Sequence, residues 1–193
     1  MTSEKTELKT TAPIESNRWK PLRDNVQILA LALILALGIR AFVAEPRYIP
    51  SVSMVPTLEV GDRIVVEKLS YHWRSPTTGD IIVFDPPEAL QQYGYTKNQA
   101  FIKRVMGTEG QFVRIHNGQL YLNDEPLTEN YIAEPPDYEW GPQQVPKDTV
   151  FVMGDNRNNS NDSHVWGFLP KTNIIGRAVG RFWPVNRIGF LDN

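Results

Sequence analysis

The sequence predicts a mainly β fold, with a single transmembrane helix near the N-terminus and a compact β-rich domain after it. Three observations lead there. The run Val26 to Ala44 is the only apolar stretch of membrane length in the 193 residues. Beyond it, helical periodicity is scarce, whereas short β-branched runs bounded by Gly and Pro recur. Finally, Asn117-Gly118 lies between apolar-rich arms, the pair that a two-residue type I′ hairpin favours.

Residues 1–17 are rich in Thr, Ser, Lys and Glu without periodicity, and read as a disordered tail. The division expected is a tail over 1–25, an anchor over 26–44 and a folded domain over 45–193. As a helix the apolar run spans roughly 28 Å, close to the hydrocarbon thickness of a bilayer. Arg40 lies near one end, where its stem can snorkel to the headgroups. A cleaved leader is the alternative. Phe42 would then stand three residues before a cut after Ala44, or Ile39 before a cut after Ala41, and neither is small as such a site requires. Arg18, Lys20 and Arg23 precede the run, which puts the N-terminus in the cytoplasm and the larger part outside; Arg40 and Arg47 reduce that contrast.

Strands are expected over Arg63–Lys68, Asp80–Phe84, Phe101–Met106, the two arms of Gln111–Asn123, Thr149–Met153 and Ile174–Trp183, paired antiparallel or mixed. Glu125 to Lys147 carries five prolines and little pattern, and reads as a long surface loop. No internal repeat is visible.

A formal charge of −2 with scattered Lys and Arg gives no basic face for nucleic acid. The absence of cysteine excludes disulfides, thiolate nucleophiles and Cys-based zinc sites. No nucleotide or metal motif is present, so neither cofactor nor metal is expected.

The chemistry-bearing segments are three: Ile49-Pro-Ser-Val-Ser-Met-Val-Pro-Thr-Leu58, Phe101-Ile-Lys-Arg-Val-Met-Gly107 and Gly154-Asp-Asn-Arg-Asn-Asn-Ser-Asn-Asp-Ser163. A serine hydroxyl needs a base before it attacks. His72 and His116 read as structural or solvated, and His164, after Asp162-Ser163, is the only histidine suited to a triad. Lys103 offers another route. Set among Phe101, Ile102, Val105 and Met106, it would lose solvent in a buried strand, and burial lowers a lysine pKa. From position alone, a lysine snorkelling from a strand edge is the commoner case. Arg104 would point to the opposite face, free to pair with a carboxylate such as Asp155.

These segments resemble the type I signal peptidases, membrane-anchored Ser-Lys endopeptidases that remove leader peptides from exported proteins. Pro50-Ser-Val-Ser-Met-Val-Pro-Thr-Leu58 is similar to the family's nucleophile box. Gly61 to Val65, Gly79 to Phe84, Ile102 to Val105, Gly154 to Ser163 and Trp166 to Pro170 match further boxes in order. The resemblance covers about Asn25 to Pro184. It implies a signal-peptidase-like catalytic domain with Ser53 as nucleophile and Lys103 as general base. Ser51 would join the backbone N–H of Ser53 in an oxyanion hole, and Ser160 would orient the lysine amine. Asp155, Arg157, Asp162 and Arg104 would hold the site together. Two positions depart from some relatives: Arg47 replaces an apolar residue near the substrate groove, and His164 replaces an arginine. The chain is also too short for the large inserted β domain of some members.

The resemblance further implies an extended substrate beside Pro46–Ser51 and Ala100–Ile102, with Ile49, Pro50, Met54, Leu58, Val83 and Ile102 lining shallow pockets for small residues. Expected partners are preprotein signal peptides and the lipid bilayer of a bacterial plasma membrane; Trp73, Trp140 and Phe168 are candidates for contact with the lipid interface, with ordinary core packing an equal alternative. Two rivals are a soluble, self-cleaving Ser-Lys repressor, disfavoured by the anchor, and an inactive tethered peptide-binding module, which has no need of Lys103.

Overall fold

The structure is a computed structural model that describes residues 20–92, 94–96 and 99–191. The tail read from residues 1–17 lies outside them. The described residues up to 38 and those from 39 onward form separate compact units. Helix α1 (Lys20–Phe42) fills the described part of the first and runs into the second. Pro21 sits in its first turn, where a missing N–H leaves no helical bond unmade. Asn25–Phe42 has a mean hydropathy of 1.9 with none of it buried, and by length and composition it is the one helix among the described residues able to cross a membrane. Its apolar side chains face outward, Leu29 at 69% and Ile34 at 66% exposure, as suits a helix whose solvent is lipid. The helix starts earlier than the expected 26–44 anchor and ends earlier too, because Ala44 already pairs with Glu67 in a sheet.

The second unit is built on two antiparallel sheets. Its strands are β1 (Ala44–Tyr48), β2 (Arg63–Glu67), β3 (Ile81–Phe84), β4 (Phe101–Thr108), β5 (Phe112–His116), β6 (Gln119–Leu122), β7 (Glu125–Pro126), β8 (Trp140–Gln144), β9 (Thr149–Met153), β10 (Leu169–Pro170), β11 (Ile174–Trp183) and β12 (Gly189–Phe190). Single helical turns α2 (Glu88–Gln91) and α3 (Ser163–Trp166) lie between them. The larger sheet runs β1-β2-β11-β3-β4-β9-β10, with β12 also on β11; the smaller runs β7-β6-β5-β8. Asn117 and Gly118 both take positive φ, 50° and 74°, as the expected type I′ hairpin between β5 and β6 demands.

Central strand β3 is buried on both faces: Ile81 and Val83 pack with Ile49, Met54, Leu58, Ile64 and Ile102, while Ile82 and Phe84 pack with Val105, Val152 and Leu169. A third cluster joins Met106, Phe151 and Met153 of the larger sheet to Val113, Ile115 and Leu120 of the smaller. Trp140 and Phe168 are partly buried against that cluster, in line with the core-packing alternative. Trp73 is 80% exposed.

Five strands escape a reading of the sequence, β1, β7, β8, β10 and β12, and all but β12 contain proline. The expected loop over 125–147 contains β7 and β8, and β8 pairs with β5 across a register shift near Pro142. Both β1 and β8 are edge strands, where a residue without an N–H breaks no ladder.

Candidate active site

The segment that carries Ser53 is the turn between β1 and β2. Its ends are closed by backbone bonds from Ile49 N to Asp62 O (2.9 Å) and from Gly61 N to Ile49 O (3.0 Å). Met54 and Leu58 anchor it from below; both are fully buried in the core, which corrects their expected place in the pocket wall. The buried Asp62 carboxylate accepts from Glu59 N at 2.9 Å, and Arg181 bridges it at 3.3 Å to Thr57 O at 2.9 Å. Ser53 is thus held on a braced turn, only 9% exposed.

Lys103 reaches it from β4. Ladder pairing sets Lys103 opposite Ile82 and Arg104 opposite Ile81, so consecutive basic side chains leave opposite faces of the sheet. The Lys103 Nζ donates to Ser53 Oγ at 2.7 Å and to Ile102 O at 3.0 Å. Burial pushes its pKa down to about 8; the Asp162 and Asp155 carboxylates pull the other way and lose. A lysine near that value supplies a large neutral fraction at mildly alkaline pH. Ser51 Oγ lies 3.4 Å from Ser53 Oγ, on the solvent side.

On the other face, Arg104 grips Asp155 with two bonds of 2.9 and 2.7 Å, and Thr57 donates to the same carboxylate at 2.5 Å. This ties β4, the nucleophile turn and the loop after β9 together. That loop approaches Ser53 directly, Asn156 N donating to Ser53 O at 3.1 Å. Gly154 makes the approach possible: a Cβ there would stand 2.3 Å from Ser160 Oγ and 2.4 Å from Ser53 O. Asp162 accepts from Gly154 N at 2.8 Å and faces His164 Nδ1 at 2.7 Å, which supplies the partner the sequence left unassigned.

Ser160 departs from expectation. Its hydroxyl is buried without a hydrogen-bond partner, so the bond to the Lys103 amine that the resemblance implied is not made. Two acceptors, Ser53 Oγ and Ile102 O, orient the amine instead. Arg157 finds a partner that the sequence reading missed, Glu129, at 2.7 and 2.6 Å. No local pattern betrays Glu129, since it lies in the proline-rich stretch; only the need of a buried arginine for a carboxylate could have prompted the search.

A cavity of about 470 Å³ opens beside the Ser53–Lys103 pair, lined by Pro50, Ser51, Ile102 and also by Tyr95, Gln99, Asn159 and Asn161, which the sequence reading did not name. A smaller one of about 80 Å³ is walled by Ile49, Pro50, Val83, Ile102 and Arg47. A larger groove of about 570 Å³ between Asp85 and Asn173 contains no nucleophile–base pair, so volume alone does not locate the site. No cluster of potential metal ligands occurs among the described residues.

A family model described as signal peptidase, peptidase S26, matches residues 22–183. The chain is 60% identical over 171 residues to signal peptidase I of Leptolyngbya laminosa, covering 89% of this chain and 84% of that one. It is 60% identical over 182 residues to the probable signal peptidase I-1 of a Synechocystis strain, covering 94% and 92%. Over 160 residues it is 47% identical to thylakoidal processing peptidase 1 of Arabidopsis thaliana, covering 81% of this chain and 47% of the plant protein. With the matched span running through the nucleophile turn, β4 and the loop after β9, the chain belongs to the signal peptidase I family, the membrane-anchored serine endopeptidases that remove signal peptides from preproteins.

Proposed function

We propose that Ser53 is the acyl-forming nucleophile of this peptidase and Lys103 its general base. The observation that carries this reading is the 2.7 Å hydrogen bond between a buried lysine amine and the Ser53 hydroxyl. Neutral Lys103 takes the Ser53 proton as Oγ adds to the scissile carbonyl. The resulting ammonium returns a proton to the departing amine as the C–N bond breaks, and water, activated by the same amine, releases the acyl group. The Ser51 hydroxyl and the Ser53 N–H bind the oxyanion, an interaction commonly worth about 3–4 kcal/mol in the transition state. Asp155, Arg104, Arg157 and Asp162 hold nucleophile and base in register.

The substrate lies extended beside Pro50 and Ile102. The small cavity walled by Ile49, Val83 and Ile102 admits a short side chain and excludes bulk, in accord with cleavage after small-x-small sites. Helix α1 anchors the protein in the bilayer with the N-terminus cytoplasmic and residues 45–193 outside. The Synechocystis and thylakoidal relatives support a plasma or thylakoid membrane, with the lipid surface as a standing partner.

The test uses the full chain in detergent with a synthetic preprotein, its products read by mass spectrometry. A single cut after the small-x-small site, lost in both Ser53→Ala and Lys103→Ala, is the expected result; wild-type-like processing by either variant rules out the dyad. Protease protection in membrane vesicles reports the orientation.

A further inference from the structure

The loop after β9 is clasped from outside by residues 129–138, the arm joining β7 to β8 of the smaller sheet. Four contacts make the clasp. Glu129 chelates the Arg157 guanidinium at 2.7 and 2.6 Å, with side-chain exposures of only 4% and 0%. The Tyr131 ring lies 4.0 Å from the Arg104 guanidinium and 6.0 Å from that of Arg157, and its hydroxyl donates to Glu129 at 2.7 Å. Asn158 is held from both sides, accepting from Asp137 N at 2.9 Å and donating to Pro135 O at 3.0 Å. Tyr138 stacks on His164 at 4.1 Å. Arg157 carries the restraint inward, since its Nε donates to Gly154 O at 3.0 Å and Gly154 is the residue that touches Ser53 O and Ser160.

We infer that Glu129 is a positioning residue for the reaction, the ionic anchor through which the smaller sheet's arm fixes Arg157, Gly154 and hence Ser53 against Lys103. The inference rests on the dyad proposed above. The chemistry follows from charge balance in a dry region. Two guanidiniums, Arg104 and Arg157, flank one tyrosine ring, and two carboxylates, Asp155 and Glu129, neutralise them one to one. Were Glu129 uncharged, the buried Arg157 would turn to the next carboxylate, Asp155, which already serves Arg104. That competition loosens the loop that supports Ser53. It also thins the negative charge that faces Lys103, because Asp155 is one of the two loop carboxylates, with Asp162, that favour its ammonium; the other charged or titratable groups around them are Arg104 on its own strand, Arg157 on the loop and His164 beside Asp162.

The decisive variant is Glu129→Gln, which keeps the shape and loses the charge, in the full chain with a preprotein substrate. Its kcat should fall by roughly 10- to 100-fold with KM nearly unchanged, the cost of a misplaced reacting group. The acidic limb of its pH–rate profile should move to lower pH, because an Asp155 carboxylate shared with Arg157 favours the Lys103 ammonium less. Glu129→Asp should recover part of the rate. An unshifted limb, with a rate that falls only in proportion to the folded fraction measured by thermal unfolding, overturns the inference, as does wild-type kcat. If Glu129→Gln does not fold, Tyr131→Phe keeps the ring and both ion pairs while removing one donor to Glu129; a fall of roughly 2- to 5-fold in kcat at constant KM supports the role, and an unchanged kcat overturns it. Ser53→Ala in the same assay separates failure of this inference from failure of the dyad, since residual processing there removes the dyad itself.

Discussion

Lys103 is the residue on which the proposed chemistry turns, and its value of about 8 against the ordinary 10.5 gives two measurable signs. Catalysis needs the neutral amine, so single-turnover cleavage should rise about tenfold per pH unit below about 8 and level off above it. A flat profile from pH 6 to 9 contradicts the assignment. Stability follows linkage: the folded-state pKa lies below that of the unfolded chain, so the unfolded state holds the extra proton between about pH 8 and about 10.4. The buried ammonium therefore destabilises the fold in full below about pH 8, and that cost disappears as pH rises through this window. Urea unfolding of wild type and Lys103→Met should show wild type gaining on the variant between pH 7.5 and pH 10 on the order of a few kcal/mol at most. Lys103→Arg keeps a cation that cannot be deprotonated, so its cleavage rate should fall by about 10⁴-fold or more.

At the scale of elements, the site is a meeting of three backbones: the β1–β2 turn, β4 and the loop after β9. Gly154 sets how close two of them come. Gly154→Ala would force its Cβ against Ser53 O and Ser160; activity should drop by roughly 100-fold while Tm falls only a few degrees, as for an overpacked contact of about 1–3 kcal/mol. Equal kcat in the variant would show that the loop yields without moving Ser53. The strands themselves were largely legible, because β2, β3, β4, β9 and β11 are β-branched runs between turn residues. Edge strands β1, β7, β8 and β10 were not, since proline reads as loop wherever the chain's neighbours are unknown.

For the whole molecule, the separate units bounded at residue 38 suggest a division of labour that truncation can test. Residues 39–193 alone should cleave a soluble peptide at nearly the full-length rate in detergent. Removing the anchor should slow processing of a bilayer-inserted preprotein by about 10²-fold or more, because co-tethering raises effective concentration without adding contacts. Equal rates for both forms on the inserted substrate would mean that helix α1 contributes nothing to encounter.

The family, and with it the proposed anchor, nucleophile and base, is written in local strings, Pro50 to Leu58 and Phe101 to Gly107 above all, since each needs only its own neighbours to be read. Partnerships are different. That Glu129 closes on Arg157, that Asp162 meets His164, that Met54 and Leu58 leave the pocket for the core, and that the Ser160 hydroxyl misses the lysine amine all depend on where distant backbones come to rest. A buried charge selects its counterion by distance and desolvation, and those quantities exist only once the chain has folded.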